Sequence, residues 1–291
     1  MSHASKAHPQ EPAQPGASSA LRSAIVTGAA SGLGRAMALG LAANGFSVFA
    51  VDRQEAALAS LPSDAPASES GKLIPFVADL ADPASFERIV DGALAHCGRI
   101  DVLVNNAGIG QAGIRPDARR NPIRFWEVTP EHWAQFLAVN ATGPIMLTRA
   151  VLPHMLNAGQ GRIITVTTSL GTMLREGYLL YGASKAAAEA AMASLAADLA
   201  GTGITCNVLV PGGVTNTPLV GPAAGDRDRM LQPEIMVDPL LWLVSDEASG
   251  VSARRFIAAD WNPKLPAAEA AEKAGAPIAW LGIARMPIEP G

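Results

Sequence analysis

Cysteine is scarce in this sequence: 291 residues hold only Cys97 and Cys206, far apart in the chain. That excludes a disulfide framework and a cysteine-rich metal site, and it predicts two reduced thiols in a cytoplasmic protein. Long apolar runs are missing too. None reaches the roughly 20 residues needed to cross a bilayer, so no membrane partner is expected. Nor is there a surplus of positive charge. Lys and Arg total 22 against 26 Asp and Glu, a formal net charge of −4. Nucleic acid is therefore not an expected partner, since binding it needs a concentrated basic face. The opening stretch "MSHASKAHPQEPAQPGASSA" lacks the apolar centre of a secretory signal. Its Pro, Ser, Ala and Gln content predicts a floppy tail over residues 1–20.

Apolar residues are plentiful: 49% of the chain is hydrophobic and 16% charged, ample for one large core. From Ser23 onward, short apolar runs alternate with helical segments. "SAIVTG", "FSVFAVDR", "KLIPFVADLAD", "IDVLVNNAG", "GRIITVTTS", "ITCNVLVPGG" and "RRFIAADW" read as strands. "TPEHWAQFLAVNATGPIMLTRAVLPHML" reads as one long helix capped by Thr129. Strands that are apolar almost throughout are buried on both faces, as in a parallel sheet covered by helices. The expectation is a single α/β domain over residues 21–262: a doubly wound parallel sheet in three αβα layers. Residues 263–291 form an extension that packs on the domain or on a neighbouring subunit. There is no internal repeat of the solenoid type.

In such a sheet, ligands bind beyond the carboxyl ends of the strands. Here the glycine-rich and polar punctuation falls at those ends, so segments distant in sequence should converge. "TGAASGLG" sets Gly28, Ser31, Gly32, Leu33 and Gly34 between a strand and a helix. Glycines there let backbone N–H groups and the helix N-terminus approach a pyrophosphate, although the spacing departs from G-x-G-x-x-G. Asp52 ends the second strand, near where an acidic residue accepts hydrogen bonds from the adenosine ribose and repels a 2′-phosphate. NAD is thus favoured over NADP, while the Arg53 guanidinium beside it is suited to the extra phosphate. Asp79 and Leu80 in "ADL" would border the adenine, or Asp79 would cap a helix. Asn106, Ala107 and Gly108 in "NNAG" put small residues where a dinucleotide would pass.

A fourth stretch, "YGASK", places one of only two tyrosines four residues before a lysine. Residues four apart share a helix face, so the Tyr181 hydroxyl and the Lys185 ammonium would lie over one surface.

Taken in order, "TGAASGLG", "NNAG", "VNATG", "YGASK" and "PGGV" resemble the short-chain dehydrogenase/reductase family from about Ser23 to Trp261. The resemblance implies a Rossmann-type domain, a homotetramer or homodimer, and NAD(P)-dependent interconversion of an alcohol and a carbonyl. It names Tyr181 as proton donor or acceptor, Lys185 as its partner, and Asn140 as the holder of a water in the proton path. The family's substrate-orienting hydroxyl falls on Thr168 or on Ser169, the spacing to the tyrosine favouring Thr168. Pro211, Gly212, Val214 and Thr217 would lie along the nicotinamide, with Thr217 one residue later than the family's usual pattern. An adjacent ammonium would lower the phenol's ordinary pKa of about 10. Two segments would frame the substrate. One is a basic loop with Arg115, Arg119, Arg120 and Arg124, read mainly as a solvated face. The other is an apolar lid with Leu219, Met230, Leu231 and Met236. The leading expectation is an NAD-dependent secondary-alcohol dehydrogenase or ketone reductase. The alternatives are an NADP-dependent carbonyl or 3-oxoacyl reductase and a catalytically silent dinucleotide sensor.

Overall fold

The computed structural model describes residues 21–64 and 71–282; the tail expected over residues 1–20 lies outside them. Among the described residues, eight strands form one sheet. They are β1 (Ser23–Thr27), β2 (Ser47–Asp52), β3 (Lys72–Val77), β4 (Val102–Asn105), β5 (Gly161–Val166), β6 (Ile204–Val210), β7 (Arg254–Ile257) and β8 (Gly275–Pro277). Their order across the sheet is β3-β2-β1-β4-β5-β6-β7-β8. All neighbours run parallel except β7 and β8.

The helices are α1 (Gly32–Ala43), α2 (Glu55–Ala59), α3 (Ser85–Cys97), α4 (Pro130–Leu137), α5 (Gly143–Ala158), α6 (Leu170–Met173), α7 (Leu179–Asp198), α8 (Val237–Leu243) and α9 (Ala267–Ala274). No helix among the described residues is long and apolar enough to cross a membrane.

Strand residues divide between two cores because successive side chains leave opposite faces of a sheet. On one face Ala24 and Val26 of β1 join Met37 and Leu41 of α1 and Leu240 and Leu243 of α8. On the other, Ile25 joins Ile89 of α3, Leu147 and Val151 of α5, and Met192 of α7. β1, β2, β4, β5 and β6 are buried along their whole length, as their sequences require. β3 is an edge strand, half-exposed and carrying Pro75, where the missing N–H costs no ladder bond.

Two features depart from the sequence reading. The expected continuous helix after Thr129 contains a π-helical segment, Ala138–Thr142, between α4 and α5. Such segments recur at functional sites, and this one carries Asn140. The other is an eighth strand with a helix before it, which continues the sheet on the edge of β7. α9 buries Ala270, Ala271 and Ala274, so residues 267–277 pack on this chain's own domain.

Candidate active site

The order of the strands sets where a cleft can open. β1 is followed in the chain by β2 on one side, whereas its other neighbour is β4. The connections therefore leave in opposite directions and cover opposite faces, and a crevice remains beyond the strand ends. It is a cavity of about 380 Å³ lined by the ends of β1, β2, β4, β5 and β6.

At its floor the β1–α1 turn is built for close approach. Gly28 and Gly32 have φ of +69° and +52°, the left-handed region that glycine adopts without strain. A Cβ on Gly28 would stand 2.9 Å from the Ala107 Cα, and one on Gly32 2.8 Å from the Thr217 side chain. Ser31 precedes α1 without capping it through its side chain. The N–H groups of the first turn are thus aimed at the crevice with the positive end of the helix dipole. Gly34 faces away from the cavity; its Cβ would lie 2.1 Å from the Gly28 carbonyl oxygen. Its role is to let α1 pack against the turn. Leu33 lines the cavity beside this turn.

Asp52 sits where the sequence placed it, nearly buried, but its carboxylate also holds backbone. Oδ2 accepts the Ala30 N–H at 3.0 Å and Oδ1 the Gln54 N–H at 2.9 Å. Arg53 lies 3.7 Å from Asp79, so its charge is partly matched at the rim. Asp79 and Leu80 both line the cavity, and Asp79 Oδ1 also accepts the Ala81 N–H. Asn106 ties β4 to β1, donating to the Thr27 carbonyl at 2.8 Å, while the Thr27 hydroxyl accepts the Asn106 and Ala107 N–H groups. Ala107 and Gly108 follow along the cavity wall.

Tyr181 and Lys185 lie on one face of α7, and both line the cavity. Lys185 is buried and donates to the Val166 carbonyl at 2.9 Å. The expected lowering of the phenol's pKa is not what the structure gives. Burial pushes Tyr181 up to about 12, the neighbouring Thr168 hydroxyl pulls the other way, and Tyr178 adds to the rise. Lys185 does not counter this. Its ammonium donates one hydrogen bond, to Val166, and burial pushes its own pKa down to about 8.

Of the two candidate hydroxyls, Thr168 is the neighbour of the phenol. Ser169 also lines the cavity, and it caps α6: its Oγ accepts the Thr172 N–H at 3.2 Å and lies 2.7 Å from the Thr172 hydroxyl. Asn140 stands behind the cavity wall. It is fully buried and is not among the cavity-lining residues. Its Oδ1 accepts the Ile109 N–H at 2.8 Å, and its Nδ2 donates to the Ile109 carbonyl and to Ser184 Oγ. The side chain fixes the wall beside Lys185 rather than facing the cavity.

Pro211, Gly212, Val214 and Thr217 line the far wall, and Gly212 has φ of +91°. Of the expected lid residues only Leu219 lines the cavity. Met236 is fully buried in the core against α1, because the chain turns inward before α8. In the basic loop, Arg115 pairs with Glu127 at 2.6 Å and Arg124 with Glu176, whereas Arg119 lines the cavity. Sequence reasoning missed Thr27, Gln111, Arg175 and Tyr178, all at the cavity, and the buried pair Glu189–Arg255 behind it. The one readable signal for the pair was a glutamate four residues beyond Lys185 in an otherwise apolar helix.

A family model described as short chain dehydrogenase matches residues 22–228. A short chain dehydrogenase from Pseudocercospora fijiensis is 37% identical over 66% of this chain, which spans 60% of that protein's length. A 3-ketoacyl-(acyl-carrier-protein) reductase from Brucella melitensis, solved with NADH, is 29% identical with a TM-score of 0.68. The match covers 79% of this chain and 93% of that one. A candidate NAD(P)-dependent gluconate 5-dehydrogenase from Beutenbergia cavernae, solved with NADP at low occupancy, is 34% identical with a TM-score of 0.70. Here the coverage is 81% and 94%.

A Gly34→Ala substitution tests the floor of the crevice. Its methyl group meets backbone that cannot yield without moving the turn, so NADH binding should weaken by at least about tenfold, roughly 1.4 kcal/mol. Titration of NADH fluorescence reads this, and a wild-type dissociation constant would contradict it.

Proposed function

The chain belongs to the short-chain dehydrogenase/reductase family, whose members are NAD(P)-dependent oxidoreductases of alcohol and carbonyl groups, and on that premise we propose that it interconverts a secondary alcohol and a ketone using NAD(H). The observation that carries this reading is Tyr181 beside Thr168 in the crevice that ends at the glycine turn.

The cradle fits a dinucleotide. Two glycines at positive φ leave no room for side chains, and the uncapped first turn of α1 offers N–H groups to a pyrophosphate. Gly28, Ser31, Gly32 and Leu33 would hold the phosphates, and Asp52 the adenosine ribose. Asp79, Leu80, Asn106, Ala107 and Gly108 would flank the adenine side of the path. Pro211, Gly212, Val214 and Thr217 would meet the nicotinamide end. The bound cofactor supplies or accepts the hydride.

The rest is done by the chain. The Thr168 hydroxyl orients the substrate oxygen toward Tyr181. The phenol is neutral near pH 7, the form able to donate, so it gives its proton to the oxygen that becomes negative as a carbonyl is reduced. In the reverse direction the phenolate must take that proton, and a pKa near 12 makes this form scarce at neutrality. Lys185, held by Val166, fixes the helix face that carries the phenol and stands beside the cofactor path at Gly108. Ser169 and Asn140 act as framework here, the first capping α6 and the second clamping Ile109.

Asp52 is the ground for favouring NAD over NADP. A carboxylate fixed by two backbone N–H groups cannot swing away from a 2′-phosphate, and Arg53 is drawn to Asp79. A 3-oxoacyl or other carbonyl reductase using NADP is the competing reading, since Arg53 is still half-exposed.

The tests use a panel of cyclohexanone, 2-butanone, ethyl acetoacetate and the matching alcohols, followed at the nicotinamide absorbance. Tyr181→Phe should bind NADH normally while kcat falls by about 10³-fold. Wild-type alcohol oxidation should rise by about tenfold per pH unit above neutrality as the phenol ionises. That rise should vanish in the variant, and undiminished turnover there would overturn the assignment. Separately, kcat/KM with NADH should exceed that with NADPH by at least about tenfold, the worth of about 1.4 kcal/mol at the ribose corner. The opposite preference would make Arg53 the governing residue.

A further inference from the structure

The chain end of β5 presents a mechanical problem. β5 keeps its ladder with β6 only as far as Val166, and the residues that matter follow it. Thr167 and Thr168 lie past the last paired residue, at the edge of a cavity, with no strand on which to align.

Three buried side chains grip that stretch, residue by residue. Lys185 donates to the Val166 carbonyl at 2.9 Å. The Thr167 hydroxyl donates to Glu189 Oε2 at 2.6 Å. Arg255 donates through Nη2 to the Thr168 carbonyl. Glu189 and Arg255 are themselves paired, Nε to Oε1 at 2.9 Å and Nη2 to Oε2 at 3.4 Å, with Glu189 fully buried. The remaining donor to Glu189 is the Ala279 N–H at 3.2 Å, from just beyond β8. Ala279 has φ of +51°, a left-handed conformation uncommon outside glycine. Tyr181, Lys185 and Glu189 are spaced by four and so occupy successive turns of one face of α7.

We propose that the Glu189–Arg255 pair is a positioning device for the proposed reaction. It aligns Thr168 with Tyr181 and makes that alignment depend on the docked C-terminal segment. The proposal rests on the role given to Thr168 above. Stability alone is a poor reason to keep such a pair, since burying two charges costs about as much as their attraction returns. What a fork on a carboxylate adds is direction: five guanidinium donors in a fixed plane let Arg255 hold Glu189 and the Thr168 carbonyl together.

The test uses the full chain, NADH and the most rapidly reduced ketone of the panel. Arg255→Lys keeps the charge but loses the fork. It should lower kcat by at least about tenfold at an unchanged NADH dissociation constant. Thr168→Val should cost at least about 30-fold in the wild-type background but under about threefold in Arg255→Lys, because the hydroxyl is already misplaced there. A wild-type kcat in Arg255→Lys, or full multiplication of the two losses, would overturn the proposal. Should Arg255→Lys fail to fold, Thr167→Val replaces it: removing one hydroxyl from Glu189 should still lower kcat several-fold without moving the NADH constant, and an unchanged kcat overturns the proposal. Failure of the underlying reading looks different. Thr168→Val would then be harmless in the wild-type background, and the proposal would fall with it. A slow Thr168→Val beside a normal Arg255→Lys sinks only the positioning role.

Discussion

The reversal of winding at β1, which has β2 on one side and β4 on the other, is the constraint on which the rest depends. A parallel sheet needs crossover connections, and those on the two sides of β1 cover opposite faces. Where they part, no helix can roof the strand ends, and backbone from β1, β2, β4, β5 and β6 is left facing one space. Thr27, Asp52, Asn106, Thr167 and Thr168 reach that space because each lies at or just past the end of an apolar run that the core demands. Thr27 and Asn106 then bind the two central strands to each other at their ends, so the gap keeps its width.

The chemistry is set by how the crevice treats charge. A phenol shielded from water holds its proton, and an ammonium shielded from water gives its up more readily. Tyr181 and Lys185 follow this rule, one pushed up to about 12 and the other down to about 8. Burial thus favours the neutral phenol, the form that can donate a proton. A site of this kind is matched to delivering a proton to a reduced carbonyl oxygen. Behind it, the one fully buried carboxylate of α7, Glu189, receives four hydrogen bonds from three residues, Thr167, Arg255 and Ala279, which is what lets a charge persist there.

Much of this was legible in the sequence, and for physical reasons. Buried parallel strands must be apolar, so "SAIVTG" and "ITCNVLVPGG" announce themselves. Glycines at positive φ are hard to replace, so the turn before α1 does too. Tyr181 and Lys185 were found by their spacing. The misses share a cause: they depend on distant partners. The bonds of Asn140 to Ile109 come from a π-helical segment, whose extra residue per turn leaves no periodicity signal. α9 and β8 are short, and β8 contains glycine and proline, residues poor in strands; only the open edge of β7 makes a strand of them. The pairing of Glu189 with Arg255 spans 66 positions, and its one local mark is a glutamate set in a mostly apolar helix.

The central claim is that a hydride passes directly between a cofactor lying on the glycine turn and a substrate carbon whose oxygen rests on Tyr181. Reduction of a ketone with NADH deuterated on the transferring face of C4, in ordinary water, tests it most directly. The account requires the deuterium at the carbinol carbon of the alcohol, with none lost to solvent. Protium at that carbon, or deuterium in the water, would contradict it.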